Sequence, residues 1–171
     1  MTLNQTIKRL QDIVVEHGQI NSYYFGELSN WSSFPNLVYP SCLITLNDAT
    51  ITTPRTELNF SMWVTDRLTF DNTNSNEVMS DTLQVMNDLL AAIDDTAINW
   101  LPNFEGKPVV FFEDSRNNDN ADVVGGVKID FTIGINTPKD RCAMPTRTRN
   151  YIITETGLVI IGEAGIGLIP E

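Results

Sequence analysis

A chain of 171 residues, 42% of them hydrophobic, has room for one domain with a sizeable core and is too apolar to be disordered throughout. Its formal net charge of −11 argues against wrapping DNA or clinging to an anionic membrane, because both need clustered Lys and Arg. Cys42 and Cys142 are far apart and His17 is the single histidine, so no Cys/His spacing suits zinc and two reduced thiols are expected. The first residues lack a basic start followed by an apolar run, and no apolar stretch nears the ~20 residues of a membrane helix, so neither a signal peptide nor a membrane partner is expected.

In chain order, residues 2–17 read as a helix, with Leu3, Ile7, Leu10, Val14 and His17 on one face. Thr2 with Gln5 matches a capping box, and Gly18 suits a left-handed stop. His17 falls in the last turn, where a cation complements the carbonyl-rich end, so its expected role is structural. Residues 21–36 hold Tyr23, Tyr24, Phe25, Trp31 and Phe34 without a clean period. Such a segment either lines a subunit contact or folds over the core with its rings inward, and both readings stand.

Residues 37–46 read as a strand with Pro40 at its start or on an edge, and 47–54 as a turn. Residues 57–66 alternate, with Leu58, Phe60, Met62 and Val64 to one side and Asn59, Ser61, Trp63 and Thr65 to the other, which predicts an antiparallel hairpin with a long loop. Trp63, on the polar side, is a candidate subunit contact or a cover for the sheet. Residues 74–94 carry the longest helical period. Val78, Thr82, Val85, Leu89 and Ala92 form one row and Met79, Leu83, Met86, Leu90 and Ile93 the next, making a wide apolar face that needs a sheet beneath it. Asn74 and Glu77 are placed to cap its start.

Residues 99–106 read as a connection, 108–113 as a short buried strand, 115–122 as a loop, and 123–136 as the strongest strand. In the last, Val127, Ile129, Phe131, Ile133 and Ile135 point one way, and Gly125 with Gly126 suggest a bulge. After residue 136 the composition changes: Lys139, Arg141, Arg147 and Arg149 are four of the eleven basic residues. Residues 151–154 and 158–161 then read as two short strands about Thr156 and Gly157. The expected fold is α+β: an antiparallel sheet of four or more strands packed by an N-terminal and a central helix over residues 1–136, then an extended arm over 137–171 with short strands for contacts between subunits.

No catalytic constellation stands out, so no catalytic residue, metal or cofactor is expected. A lone histidine needs a nearby nucleophile, and no G-x-S-x-G is present. Glu113, Asp114, Asp119 and Asp122 gather at one loop but lack the EF-hand pattern and read as a solvated tip. Gly162, Gly165 and Gly167 do not form a dinucleotide fingerprint. Arg141, Arg147 and Arg149 suit an acidic surface on a neighbouring copy. The tail residues Tyr151, Ile152, Ile153, Leu158, Val159 and Ile160 suit the open sheet edge of another subunit. With Tyr23, Tyr24, Phe25, Trp31 and Trp63 they form the set of candidate contacts.

The stretches TIKRLQDIVVEHG, YPSCLITLND, TELNFSMWVTD, SNEVMSDTLQVMNDLLAAI and VKIDFTIGIN occur in the order helix, two antiparallel strands, wide-faced helix, last strand. Over residues 1–136 this order resembles the tail terminator or tail-completion proteins of tailed bacteriophages and the related head–tail joining ring proteins of the neck. The Asn-rich, Lys-poor composition is similar to that of virion proteins of phages infecting Bacteroidetes, such as crAss-like phages. The arm after residue 136 departs from the compact form of the family. The resemblance implies a non-enzymatic virion part made in the host cytoplasm: a hexameric or dodecameric ring with portal, adaptor or tail proteins as neighbours. Genomic DNA would pass through without sequence-specific binding. The competing readings are a binding module or adhesin that uses residues 23–34, and a small enzyme with a site between subunits.

Overall fold

A computed structural model of the chain describes residues 1–31, 37–52, 54–97, 100–114, 123–136, 150–153 and 159–162. The chain divides into two compact units, Met1–Pro138 and Lys139–Glu171. In the first unit the order is α1 (Leu3–Glu16), β1 (Ser22–Phe25), α2 (Leu28–Trp31), β2 (Ser41–Ile51), β3 (Arg55–Arg67), α3 (Ser75–Asp95), β4 (Trp100–Asn103), β5 (Val109–Asp114) and β6 (Val124–Asn136). The second unit contains β7 (Asn150–Ile153) paired antiparallel with β8 (Val159–Gly162). The fold is α+β.

The six strands of the first unit form one mixed, mostly antiparallel sheet in the order β1-β2-β3-β6-β4, with β5 also on β6. Only β1 runs parallel to its neighbour, β2. β3 and β6 pair without interruption from Arg55 and Asn136 to Arg67 and Val124. That occupies one side of β6, so β4 and β5 share its other side end to end, β4 against Thr132–Ile135 and β5 against Val124–Ile129.

Alternation places the core. Leu58, Phe60, Met62 and Val64 of β3 and Val127, Ile129, Phe131, Ile133 and Ile135 of β6 are all buried on one face. Phe60 and Phe131 stack across the strands at 5.6 Å between ring centroids. α3 lies over this face and buries Val78, Thr82, Val85, Met86, Leu89 and Ile93, while Asp81, Gln84 and Asn87 remain exposed. Each large side chain fully buried there contributes roughly 1.5–3 kcal/mol. Thr82 tolerates burial because its hydroxyl donates to the Val78 carbonyl at 2.7 Å.

Several local expectations are corrected. α1 has its capping box, with the Thr2 N–H donating to Gln5 Oε1 at 2.8 Å and the Gln5 N–H to Thr2 Oγ1 at 3.3 Å. Its buried face is Thr6, Leu10, Ile13 and Val14; Leu10 and Val14 are as expected, whereas Leu3 lies on the same side but in the first turn, where it stays exposed. The Thr6 hydroxyl donates to the Thr2 carbonyl at 3.1 Å, which makes a threonine acceptable on that face. α1 ends at His17 in extended backbone, so Gly18 is not a left-handed stop. Asn74 does not cap α3 with its side chain: its Oδ1 accepts from the Thr69 N–H at 2.8 Å and its Nδ2 donates to the Arg67 carbonyl at 3.2 Å.

The strand bounds also differ from those the periods suggested: β2 begins at Ser41 rather than residue 37, after Pro40, and runs on past 46. Residues 47–51, read as a turn, continue β2 because each finds a partner on β3 apart from the extra residue Asn47, at a register shift between Leu46 and Asp48. The bulge therefore lies in β2 rather than at Gly125 and Gly126, which pair in register. A Cβ on Gly126 would stand 2.1 Å from the Val64 carbonyl oxygen, so glycine is needed there for close backbone approach. Residues 22–25 and 100–103, read as irregular chain and connection, are four-residue edge strands, too short for a pattern of apolar and polar residues to mark them in the sequence.

Candidate functional site

The three consecutive aromatics of β1 obey the two-residue period of a strand. Tyr23 and Phe25 pack on the main core, whereas Tyr24 joins a second cluster on the opposite sheet face with Trp31, Leu43, Val124 and Trp63. Trp31 is buried, Trp63 is half-buried, and the Lys128 ammonium lies 5.2 Å from the Trp63 ring centroid. These five candidates thus spend most of their apolar surface inside their own unit. Tyr23 stands opposite Cys42 in register, and burial pushes both the Cys42 thiol and the Tyr23 hydroxyl well above their ordinary ranges. A thiol so held stays protonated at neutral pH and is no nucleophile.

Of the remaining candidates, Tyr151, Ile152 and Ile153 lie in β7, and Val159 and Ile160 in β8. Arg141, Arg147, Arg149 and Leu158 lie outside the described residues, as do Asp119 and Asp122 of the acidic loop. Among the described residues no group of three or more His, Cys, Asp or Glu side chains is placed to hold a metal ion. His17 Nε2 sits 3.8 Å from Asp88 on α3, a pairing that ties α1 to α3 when the imidazole is protonated. A hollow of about 460 Å³ beside it is lined by Gln19, Asn21, Asp66, Asp81 and Gln84 among others, a polar set without a nucleophile and its base.

Beyond the aromatic cluster, the same sheet face carries a polar chain across three strands. Asn47 Nδ2 donates to Ser61 Oγ at 2.8 Å, Ser61 donates to Asp130, and Lys128 Nζ donates to Asp130 Oδ2 at 3.1 Å. Burial raises the Asp130 pKa, but the hydrogen bonds from Ser61 and Lys128 outweigh it and hold the carboxyl below the ordinary range. One row along, Thr132 donates to Asn59 Oδ1 at 2.8 Å and Asn59 donates to Asp48. The β2 bulge makes this possible, since two successive residues, Asn47 and Asp48, both reach side chains of β3.

No protein-family model matches the chain, and no curated protein matches it. No helix among the described residues is long and apolar enough to cross a membrane. The geometry also leaves open surface. β1 covers β2 only at Ser41–Ile44, and among the described residues nothing pairs the outer side of β2 over 46–51. Ile51, at the end of this open edge, is 74% exposed. Phe70 is 98% exposed on a loop tied by hydrogen bonds among Thr69, Thr73 and Asn74. Sequence reasoning passed over both; the signal for Phe70 is a lone aromatic in the polar stretch TFDNTN.

Proposed function

We propose that this chain is a structural part of a tailed-phage virion, a closed ring of identical subunits in the neck or tail between portal and tail, around the path of the genome. One observation carries the reading. Met1–Pro138 closes its own core, while the strands described in Lys139–Glu171 are one hairpin of two four-residue strands. A two-stranded hairpin is marginal in water, so β7 and β8 require another surface. A subunit that carries both an open sheet edge and a spare hairpin makes head-to-tail contacts, which close into rings when the rotation allows.

Two further features support it. The order of helix, antiparallel hairpin, wide-faced helix and long final strand accords with the tail-terminator resemblance. The acidic balance suits a channel that DNA slides through without sticking. In this reading the sheet builds the ring wall and the second unit reaches neighbouring subunits, the portal or adaptor above, or the tail below. The binding-module alternative has less support, since Tyr23, Phe25 and Trp31 are packed within the first unit. Mass photometry and negative-stain images of the purified full chain test the proposal. Rings that dissolve when residues 139–171 are deleted are expected; a monomer at every concentration overturns it.

A further inference from the structure

We infer that the outer edge of β2, residues 46–51, is the docking strip for β7 of a second copy of this chain. This rests on the ring reading for the identity of the occupant. The backbone fixes which groups are on offer. The Gly26 N–H donates to the Ile44 carbonyl at 3.1 Å, so Ile44 faces outward, toward β1. The Thr52 N–H donates to the Arg55 carbonyl at 2.8 Å, so Thr52 faces inward, toward β3. Backbone groups of a strand alternate sides, which aims Thr50 inward and Ala49 and Ile51 outward, with Leu46 outward before the bulge. The edge therefore presents three residues whose donors and acceptors await a strand, enough to bind the four residues of β7.

Natural edges are usually blunted by proline, charged side chains, a β-bulge or a covering loop. Here the bulge and the single charge, Asp48, both fall before Ala49, and 49–51 run on in regular register with β3. Residues 46–51, Leu-Asn-Asp-Ala-Thr-Ile, contain neither proline nor lysine. β7 is Asn-Tyr-Ile-Ile, and among the described residues it pairs only with β8, leaving its other side open. Charge favours the match. Arg147 and Arg149 come just before β7, and Asp48 and Glu57 lie near the turn end of the β2–β3 hairpin, alongside the strip. The strip and the hairpin are different surfaces, so each copy gives one and receives one, the arrangement that a closed ring requires.

The test is Ala49→Pro in the full chain. It deletes an outward N–H and leaves the bonds between β2 and β3 in place. The expected result is at least a tenfold loss of self-association by analytical ultracentrifugation, with a thermal midpoint within a few degrees of the parent and Ala49→Ser unaffected. Association equal to the parent's overturns the docking strip yet leaves the ring proposal standing on the deletion of 139–171. A parent that never associates removes both. Should Ala49→Pro fail to fold, chains carrying Ala49→Cys and chains carrying Ile152→Cys, each with Cys142→Ser, are assembled together and cross-linked. A covalent dimer of the two supports the proposal. The absence of a mixed dimer overturns it.

Discussion

Gly126→Ala is the sharpest test of how the two longest strands are held together. A methyl group at this position would meet the Val64 carbonyl oxygen at 2.1 Å and the Thr65 Cα at 3.0 Å, both of them backbone atoms. Neither can rotate away as a flexible side chain would, so β3 and β6 must part by about 1 Å to restore ordinary contact. Parting them weakens about two ladder hydrogen bonds at roughly 1 kcal/mol each and adds about 1–3 kcal/mol of overpacking strain. The sum is about 4 kcal/mol, or a fall of about 12 °C in the thermal midpoint at roughly 3 °C per kcal/mol. Gly134 of the same strand is the control. Its nearest neighbour is Leu101 Cβ at 3.6 Å, an ordinary contact, and alanine there is expected to be neutral or slightly stabilising. Urea unfolding followed by tryptophan fluorescence reads both variants. Equal costs at the two positions would refute the reasoning, because they would show that glycine serves this strand by something other than close approach.

Other outcomes follow from the same structure. Leu89→Ala, in the fully buried face of α3, is expected to cost about 3 kcal/mol in urea unfolding, and a cost under 1 kcal/mol would mean that α3 is not seated on the sheet. Thr2→Ala removes the α1 cap and should cost about 1 kcal/mol, while Thr2→Asp should retain most of it. Asp130 has a depressed folded-state pKa, so its contribution is present above the ordinary carboxylate range and is lost as pH falls through the lower, folded value. Asp130→Asn should therefore flatten the stability curve below about pH 4 and leave the shape of the curve from pH 6 to 8 unchanged. The effect is small because the side chain is 58% exposed, and an unchanged acid limb would count against the Ser61–Asp130–Lys128 chain.

The central features were legible because they are long. α3 and the facing rows of β3 and β6 each repeat their period enough times for the pattern to dominate, and burying those rows is the largest favourable term. The Thr2 and Gln5 cap was equally visible, since it depends on residues three apart. What the local pattern could not contain was pairing. β1 and β4 are strands because β2 and β6 lie beside them, and residues 47–51 extend β2 against weak intrinsic preference because β3 offers partners. Glycine at 126 reads as a bulge in one dimension and as a close approach in three. The fates of Tyr23, Tyr24 and Trp31 were likewise undecided in the chain itself. Aromatic character fixes how much surface must leave water but not against what, and that was settled only when β1 joined the sheet. The open side of β2 is tertiary in the same sense. An edge exists only once every strand has taken its neighbours, and one side of residues 46–51 has none among the described residues.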